Sequence, residues 1–195
     1  MYLALAAWIP NLAQKHSFFV NGRFPSSIQA LRRERRVLQP VSCSNEILWS
    51  AILLKLHTER ITRFCTLARE FDSNVLAGRY EDAQSSLDAV ESAVGYSLWL
   101  IESRLALLQV WKGLEAQKAY ATQVRDPASP FVDYFAYAVS ERNEETTNPD
   151  RFRAAHREYT IRSKYDPANR SYLAYQIIDQ IPRTAADIGS VLPDV

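Results

Sequence analysis

Cysteine is scarce in this sequence, which has 2, Cys43 and Cys65, in 195 residues. Neither cysteine belongs to a CxxC pair or has a histidine nearby at the spacing of metal ligands, so neither a disulfide framework nor a zinc site is indicated. The HExxH, GxSxG and P-loop motifs are also missing. We therefore expect no metal site, no cofactor and no catalytic residues.

An excess of charge of either sign is lacking too. The 23 Lys and Arg nearly cancel the 22 Asp and Glu, leaving a formal charge of +1, so no overall field attracts the chain to nucleic acid or to an anionic membrane. No apolar run reaches the roughly 18 to 20 residues of a membrane helix. The N-terminal MYLALAAWIP lacks the basic start and the cleavage site of a signal peptide. The sequence predicts a cytoplasmic protein without membrane contacts.

Glycine and proline are few, 5 and 9, and they separate segments in which apolar residues recur every three or four positions. This periodicity predicts an all-α fold. We expect one helical-repeat domain over residues 1–195, with N-terminal helices in 1–40, repeated hairpins in 41–182 and a tail in 183–195. The segment 98–112, LWLIESRLALLQVWK, is apolar on nearly every side, which predicts a central helix flanked by neighbours.

Residues that start helices recur at one spacing. Gly78 and Gly113 are 35 residues apart, Asn148 lies 35 residues further on, and Cys43 lies 35 residues before Gly78. A helical hairpin of about 34 to 35 residues buries its apolar face only by stacking on the next hairpin. The spacing therefore predicts stacked antiparallel helical hairpins, about four in number.

The motif GRYEDA, Gly78 to Ala83, resembles the turn between the two helices of a tetratricopeptide repeat, in which the glycine permits the turn and the small alanine permits close packing. The likeness extends over roughly Phe64 to Ser97, whereas GLEAQK at 113–118 has Lys118 in place of the small residue. The third copy has Asn148 in place of the glycine. The chain thus resembles a divergent tetratricopeptide-like protein. The same spacing also fits pentatricopeptide repeats, which read single-stranded RNA, but their basic surface is not evident.

The resemblance implies an α–α superhelix that acts as a non-catalytic scaffold or adaptor and binds a peptide or helix of another protein in a concave groove. Polar residues on otherwise apolar helices should be paired or face such a groove, because a lone buried charge is costly. We predict partner contacts from Arg104, Tyr137 and Glu141. A second copy of this chain or a larger assembly is an alternative partner.

A basic block supports a different function. The motif LRRERR contains Arg32, Arg33, Arg35 and Arg36, which on neighbouring helical turns could contact phosphates in a helical nucleic-acid-binding protein. Four arginines around one glutamate more often form the solvated face of an amphipathic helix. We favour the solvated face.

The histidines and aromatic residues are open to functional and structural interpretations. His57 with Glu59, or His156 with Glu158, could act in acid–base chemistry, but residues two apart on a helix point in different directions. We therefore interpret both histidines as part of solvated helices, while an enzyme whose site combines distant residues remains an alternative. Four aromatic residues could line a groove, although such stripes more often belong to a core. They are Phe131, Tyr134, Phe135 and Tyr137.

Overall fold

The computed structural model describes residues 51, 54–55, 57–125, 129–163, 165 and 167–178. Within these residues the fold is all-α, as predicted, and no strand occurs. The chain divides into two compact units, residues 1–96 and 97–195. None of the helices in the described part is long and apolar enough to cross a membrane.

The described part of the first unit is a helical hairpin. Helix α1 spans Thr58–Leu76, helix α2 spans Tyr80–Val94, and the two pack against each other. Between them Gly78 adopts the left-handed conformation, φ 69°, as predicted for this turn. The side chain of Arg79 closes the turn by donating two hydrogen bonds to Asn74 Oδ1, at 3.0 and 2.8 Å.

The hairpin is held by apolar residues that recur at helical spacing. On α2, Ala83, Leu87 and Val90 are fully buried, and on α1 Leu67 and Phe71 are buried. Ala83 is the small residue of the GRYEDA motif, and its complete burial is consistent with the close packing of the two helices that the motif implies.

The second unit contains five described helices. They are α3 (Leu98–Lys112), α4 (Leu114–Val124), α5 (Pro130–Arg142), α6 (Pro149–Arg162) and α7 (Pro167–Ile178). Gly113, φ 83°, is both the last cap of α3 and the first cap of α4, so these two helices form a hairpin joined by one residue. Helix α5 packs against α3, α4, α6 and α7, which makes it the central helix of this unit.

Local capping explains where two of these helices begin. Ser97 Oγ accepts a hydrogen bond from the backbone N–H of Leu100 at 3.1 Å and so caps the start of α3, directly before the predicted helix 98–112. Asn148 Oδ1 accepts from the N–H groups of Asp150 and Arg151 at 3.1 and 3.0 Å, and Pro149 follows as the first helical residue. Helix α6 therefore starts where the sequence predicts it to start.

Polar contacts tie α5 to its neighbours. Gln117 of α4 is fully buried and donates to the carbonyl of Ser140 at 2.8 Å, while Ser140 Oγ donates back to Gln117 Oε1 at 3.2 Å. Arg142 donates to Glu102 of α3 at 2.5 Å and to the carbonyl of Gln176 of α7 at 2.7 Å. These bonds fix α5, and hence the side chains that it carries, relative to α3, α4 and α7.

Candidate functional site

A hydrogen-bonded chain of side chains connects α5 to α6. The Tyr134 hydroxyl lies 2.6 Å from His156 Nδ1, and His156 Nε2 lies 3.3 Å from Glu141 Oε2. Thr160 lies close to the Tyr134 hydroxyl, and Glu141 lies close to the Tyr137 hydroxyl and raises the pKa of Tyr137. We call these five residues the Tyr–His–Glu network.

The helical spacing of both segments explains how the network forms. On α5, Tyr137 and Glu141 follow Tyr134 by three and seven residues, so the three side chains share one face of the helix. His156 and Thr160 are four residues apart on α6 and share a face as well. Tyr134, early in α5, stacks on Tyr159, whereas Glu141, late in α5, contacts the earlier residue His156. The two helices therefore run antiparallel at this point.

Burial and the available donors assign the protons of the network. An ionised Glu141 can only accept hydrogen bonds, so His156 carries its proton on Nε2 and accepts from the Tyr134 hydroxyl through Nδ1. His156 is 4% exposed, and this burial lowers its pKa, an effect that the neighbouring Glu141 opposes only in part. His156 is therefore neutral near pH 7.

Two exposed tyrosines flank the buried members of the network. Tyr137 is 46% exposed, and its ring centroid lies 6.1 Å from that of His156. Tyr159 of α6 is 47% exposed and stacks on Tyr134, with ring centroids 4.1 Å apart and planes at 17°. Glu141 is about one-third exposed, at 34% of its side chain. We call Tyr137, Glu141 and Tyr159 the α5–α6 surface.

The ring of Tyr137 also has a cation beside it. The Arg125 guanidinium lies 5.9 Å from the Tyr137 ring centroid and pairs with Asp133 at 2.7 Å. Asp133 and Glu141 lie four residues before and four residues after Tyr137 on α5. The exposed tyrosine thus lies between two carboxylates, one helical turn away on either side.

The structure separates the three residues predicted to contact a partner. Tyr137 and Glu141 lie one helical turn apart on the α5–α6 surface. Arg104 is only 8% exposed, and its guanidinium lies 5.7 Å from the ring centroid of Tyr120. Arg104 therefore offers little surface to a partner.

One interpretation of the sequence is wrong. His156 does not belong to a solvated helix face, because Phe152, Tyr134 and Glu141 surround its ring. Glu158 is not its partner and pairs instead with Arg162 at 2.7 Å. The local sequence does not indicate that His156 is buried, because the α5 residues that contact it lie 15 and 22 positions away.

The four-residue aromatic stripe is divided between core and surface. Tyr134 and Phe135 are buried, Phe131 is half-buried, and Tyr137 is exposed. The arginine block Arg32, Arg33, Arg35 and Arg36, the basis of the nucleic-acid alternative, lies outside the described residues, as does His16. In the described part of the chain no group of three or more His, Cys, Asp or Glu side chains could hold a metal ion.

Comparisons with protein families, with curated proteins and with solved structures found no match to this chain.

Proposed function

We propose that this chain is a non-catalytic interaction module, a scaffold or adaptor of the tetratricopeptide-like kind, that binds a peptide or helix of another protein on the α5–α6 surface. The observation that carries the proposal is the pair of half-exposed tyrosines, Tyr137 and Tyr159, beside the buried Tyr134–His156 hydrogen bond. The repeated hairpins α1–α2 and α3–α4 support the comparison with helical repeats.

The chemistry of the α5–α6 surface suits protein recognition. Tyrosine supplies a large, amphipathic contact area with few rotatable bonds, and it is enriched among residues that dominate interface energetics. Stacking holds Tyr159 against Tyr134, and the Tyr137 ring lies near the His156 ring and the Arg125 guanidinium. Because these contacts restrict both side chains before a partner arrives, less conformational entropy is lost on binding.

The same geometry argues against acid–base catalysis by the Tyr–His–Glu network. Tyr134 is 6% exposed, and burial raises its pKa to about 12, which disfavours the phenolate that a nucleophile or base would need. Both ring nitrogens of His156 are already hydrogen-bonded within the protein. The network is suited to positioning Tyr137, Glu141 and Tyr159.

A quantitative affinity purification tests this function. The tagged full chain and two variants are purified from nuclease-treated lysate of the native cell, and co-purifying proteins are measured by mass spectrometry. The first variant combines Tyr137→Ala with Tyr159→Ala. The second, Tyr175→Ala, removes an equally exposed tyrosine, 44%, from α7 and serves as the matched control.

We expect the recovery of at least one co-purifying protein to fall about tenfold or more with the double variant and to be unchanged with Tyr175→Ala. The reason is that a tyrosine at an interface hot spot contributes about 2 kcal/mol or more, roughly a thirtyfold effect on affinity. Circular dichroism must show that both variants stay helical. Equal recovery of every co-purifying protein with all three chains would contradict the proposed function.

A further inference from the structure

The charges around the α5–α6 surface are unevenly compensated. Three basic side chains near α5 each have an acidic partner: Arg125 with Asp133 at 2.7 Å, Lys118 with Glu144 at 3.2 Å, and Arg142 with Glu102 at 2.5 Å. Glu141, by contrast, hydrogen-bonds to His156, which is neutral near pH 7, and lies one helical turn from the neutral Tyr137. Within the described residues, the Glu141 carboxylate is thus hydrogen-bonded to a neutral side chain and is not paired with a basic one.

A contact within α5 and its neighbour shows that a carboxylate and an aromatic ring at this spacing can bind a guanidinium. On one side of Tyr137, four residues back along α5, Asp133 pairs with a guanidinium that also lies over the Tyr137 ring. On the other side, four residues forward, Glu141 presents a carboxylate at the same spacing along the helix, and that carboxylate is partly exposed. The second position repeats the carboxylate and the aromatic ring of the first.

Guanidinium chemistry fits the second position better than an ammonium does. A guanidinium is planar, donates hydrogen bonds to a carboxylate in a fixed geometry and can stack on an aromatic face. A carboxylate beside an aromatic ring therefore offers an arginine both an ion pair and a cation–π contact. Charge complementarity thus points to a cationic residue of the partner.

We propose that the α5–α6 surface recognises an arginine of a partner peptide, whose guanidinium pairs with Glu141 and lies against Tyr137 as Arg125 does on the other side. This inference rests on the proposed function and specifies the chemistry of the partner. Tyr159 then contacts a neighbouring apolar part of the same peptide.

The test uses peptides selected by display from a random library on the immobilised full chain. The tightest binders are synthesised with a fluorescent label, each in an arginine form and in a form in which citrulline, uncharged and of similar shape, replaces the arginine. Their affinities are measured by fluorescence anisotropy for the unmodified chain and for Glu141→Gln, Tyr137→Ala and Glu115→Gln. Glu115 is an exposed residue at the start of α4 and does not belong to the α5–α6 surface, so its variant makes the same substitution at a residue outside that surface.

We expect selected peptides to be enriched in arginine, and citrulline to weaken their binding about tenfold or more, since a charge-assisted hydrogen bond is stronger than one between neutral groups. Glu141→Gln should weaken the arginine form to a similar extent, and citrulline should then cause little additional loss. Glu115→Gln should leave the affinity within about twofold, because Glu115 is exposed and is not part of the α5–α6 surface.

Two results would overturn the inference, and they are distinguishable. Peptides that bind less tightly to Tyr137→Ala but are unaffected by citrulline or by Glu141→Gln would refute the arginine while leaving the surface as a protein-binding site. Failure to select any peptide that depends on Tyr137 would refute both the arginine and the proposed function. Thermal unfolding of each variant, followed by circular dichroism, shows that a loss of binding is not a loss of fold.

Discussion

His156 connects the two helices that carry the candidate site. Its neutral ring is buried between Phe152 and the Tyr134 hydroxyl, and it donates to Glu141 at the edge of the network. In this position a single imidazole hydrogen-bonds both to Tyr134, on which Tyr159 stacks, and to Glu141, which lies one helical turn from Tyr137. The geometry of the α5–α6 surface therefore depends on a side chain that is itself almost inaccessible.

The lowered pKa of His156 makes stability depend on pH. In the unfolded chain His156 titrates near its ordinary pKa of about 6.5, whereas in the folded chain burial lowers that pKa. Between the two values the unfolded chain binds a proton that the folded chain does not. The contribution of His156 to the free energy of unfolding is therefore largest above about pH 6.5. It decreases as the pH falls below that value, by at most about 1.4 kcal/mol per pH unit.

Urea unfolding at pH 7.5, 6.5 and 5.5 checks this dependence. The free energy of unfolding of His156→Gln should be lower than that of the unmodified chain at pH 7.5, because the buried contacts with Tyr134 and Glu141 are changed. The difference between the two chains should narrow toward pH 5.5, because only the unmodified chain loses the histidine contribution. A difference that stays constant over this range would show that His156 titrates equally in both states.

The sequence indicates helix ends and turns well where one or two neighbouring residues determine them. The positive φ of Gly78, the N-cap of Ser97 and the Asn148–Pro149 start of α6 each follow from the properties of one or two residues. The environment of His156 could not be predicted in this way, because its burial depends on a helix 15 to 22 residues away in the sequence. The spacing of Tyr134, Tyr137 and Glu141 was a usable signal for a shared face, but it did not identify the facing helix.

The hairpin of α1 and α2 provides a direct test of the GRYEDA motif. Ala83 is fully buried, so Ala83→Arg would force a long charged side chain into packed space. We expect this substitution to lower the free energy of unfolding by about 3 kcal/mol, because it both overpacks the contact and desolvates a charge. Ala93→Arg introduces the same side chain at an exposed position of α2 and should change stability by less than about 0.5 kcal/mol.

Urea titration followed by circular dichroism measures both variants. The control separates the effect of packing from that of adding an arginine to this helix. If Ala83→Arg unfolds at the same urea concentration as the unmodified chain, then Ala83 does not lie in a tight contact, and the comparison of this turn with a tetratricopeptide repeat loses its structural basis.

Over the whole described chain, the predicted 35-residue spacing coincides with real helix starts. Helices α2, α4 and α6 begin at Tyr80, Leu114 and Pro149, directly after or close to Gly78, Gly113 and Asn148. The predicted central helix, 98–112, does pack against two neighbours, but α5 has the more central place in its unit. Apolar content alone did not distinguish them, since both segments are rich in large apolar residues and only their packing partners differ.

The proposed function requires another protein to lie on the α5–α6 surface in the cell. Site-specific photo-crosslinking measures this directly, with p-benzoylphenylalanine incorporated in the full chain at position 137, 159 or 175 and the chain irradiated in its native cell. We expect a covalent adduct with another protein from positions 137 and 159 and none from position 175, the equally exposed tyrosine of α7. If positions 137 and 159 yield no adduct, or if position 175 yields the same one, the α5–α6 surface is not the binding site.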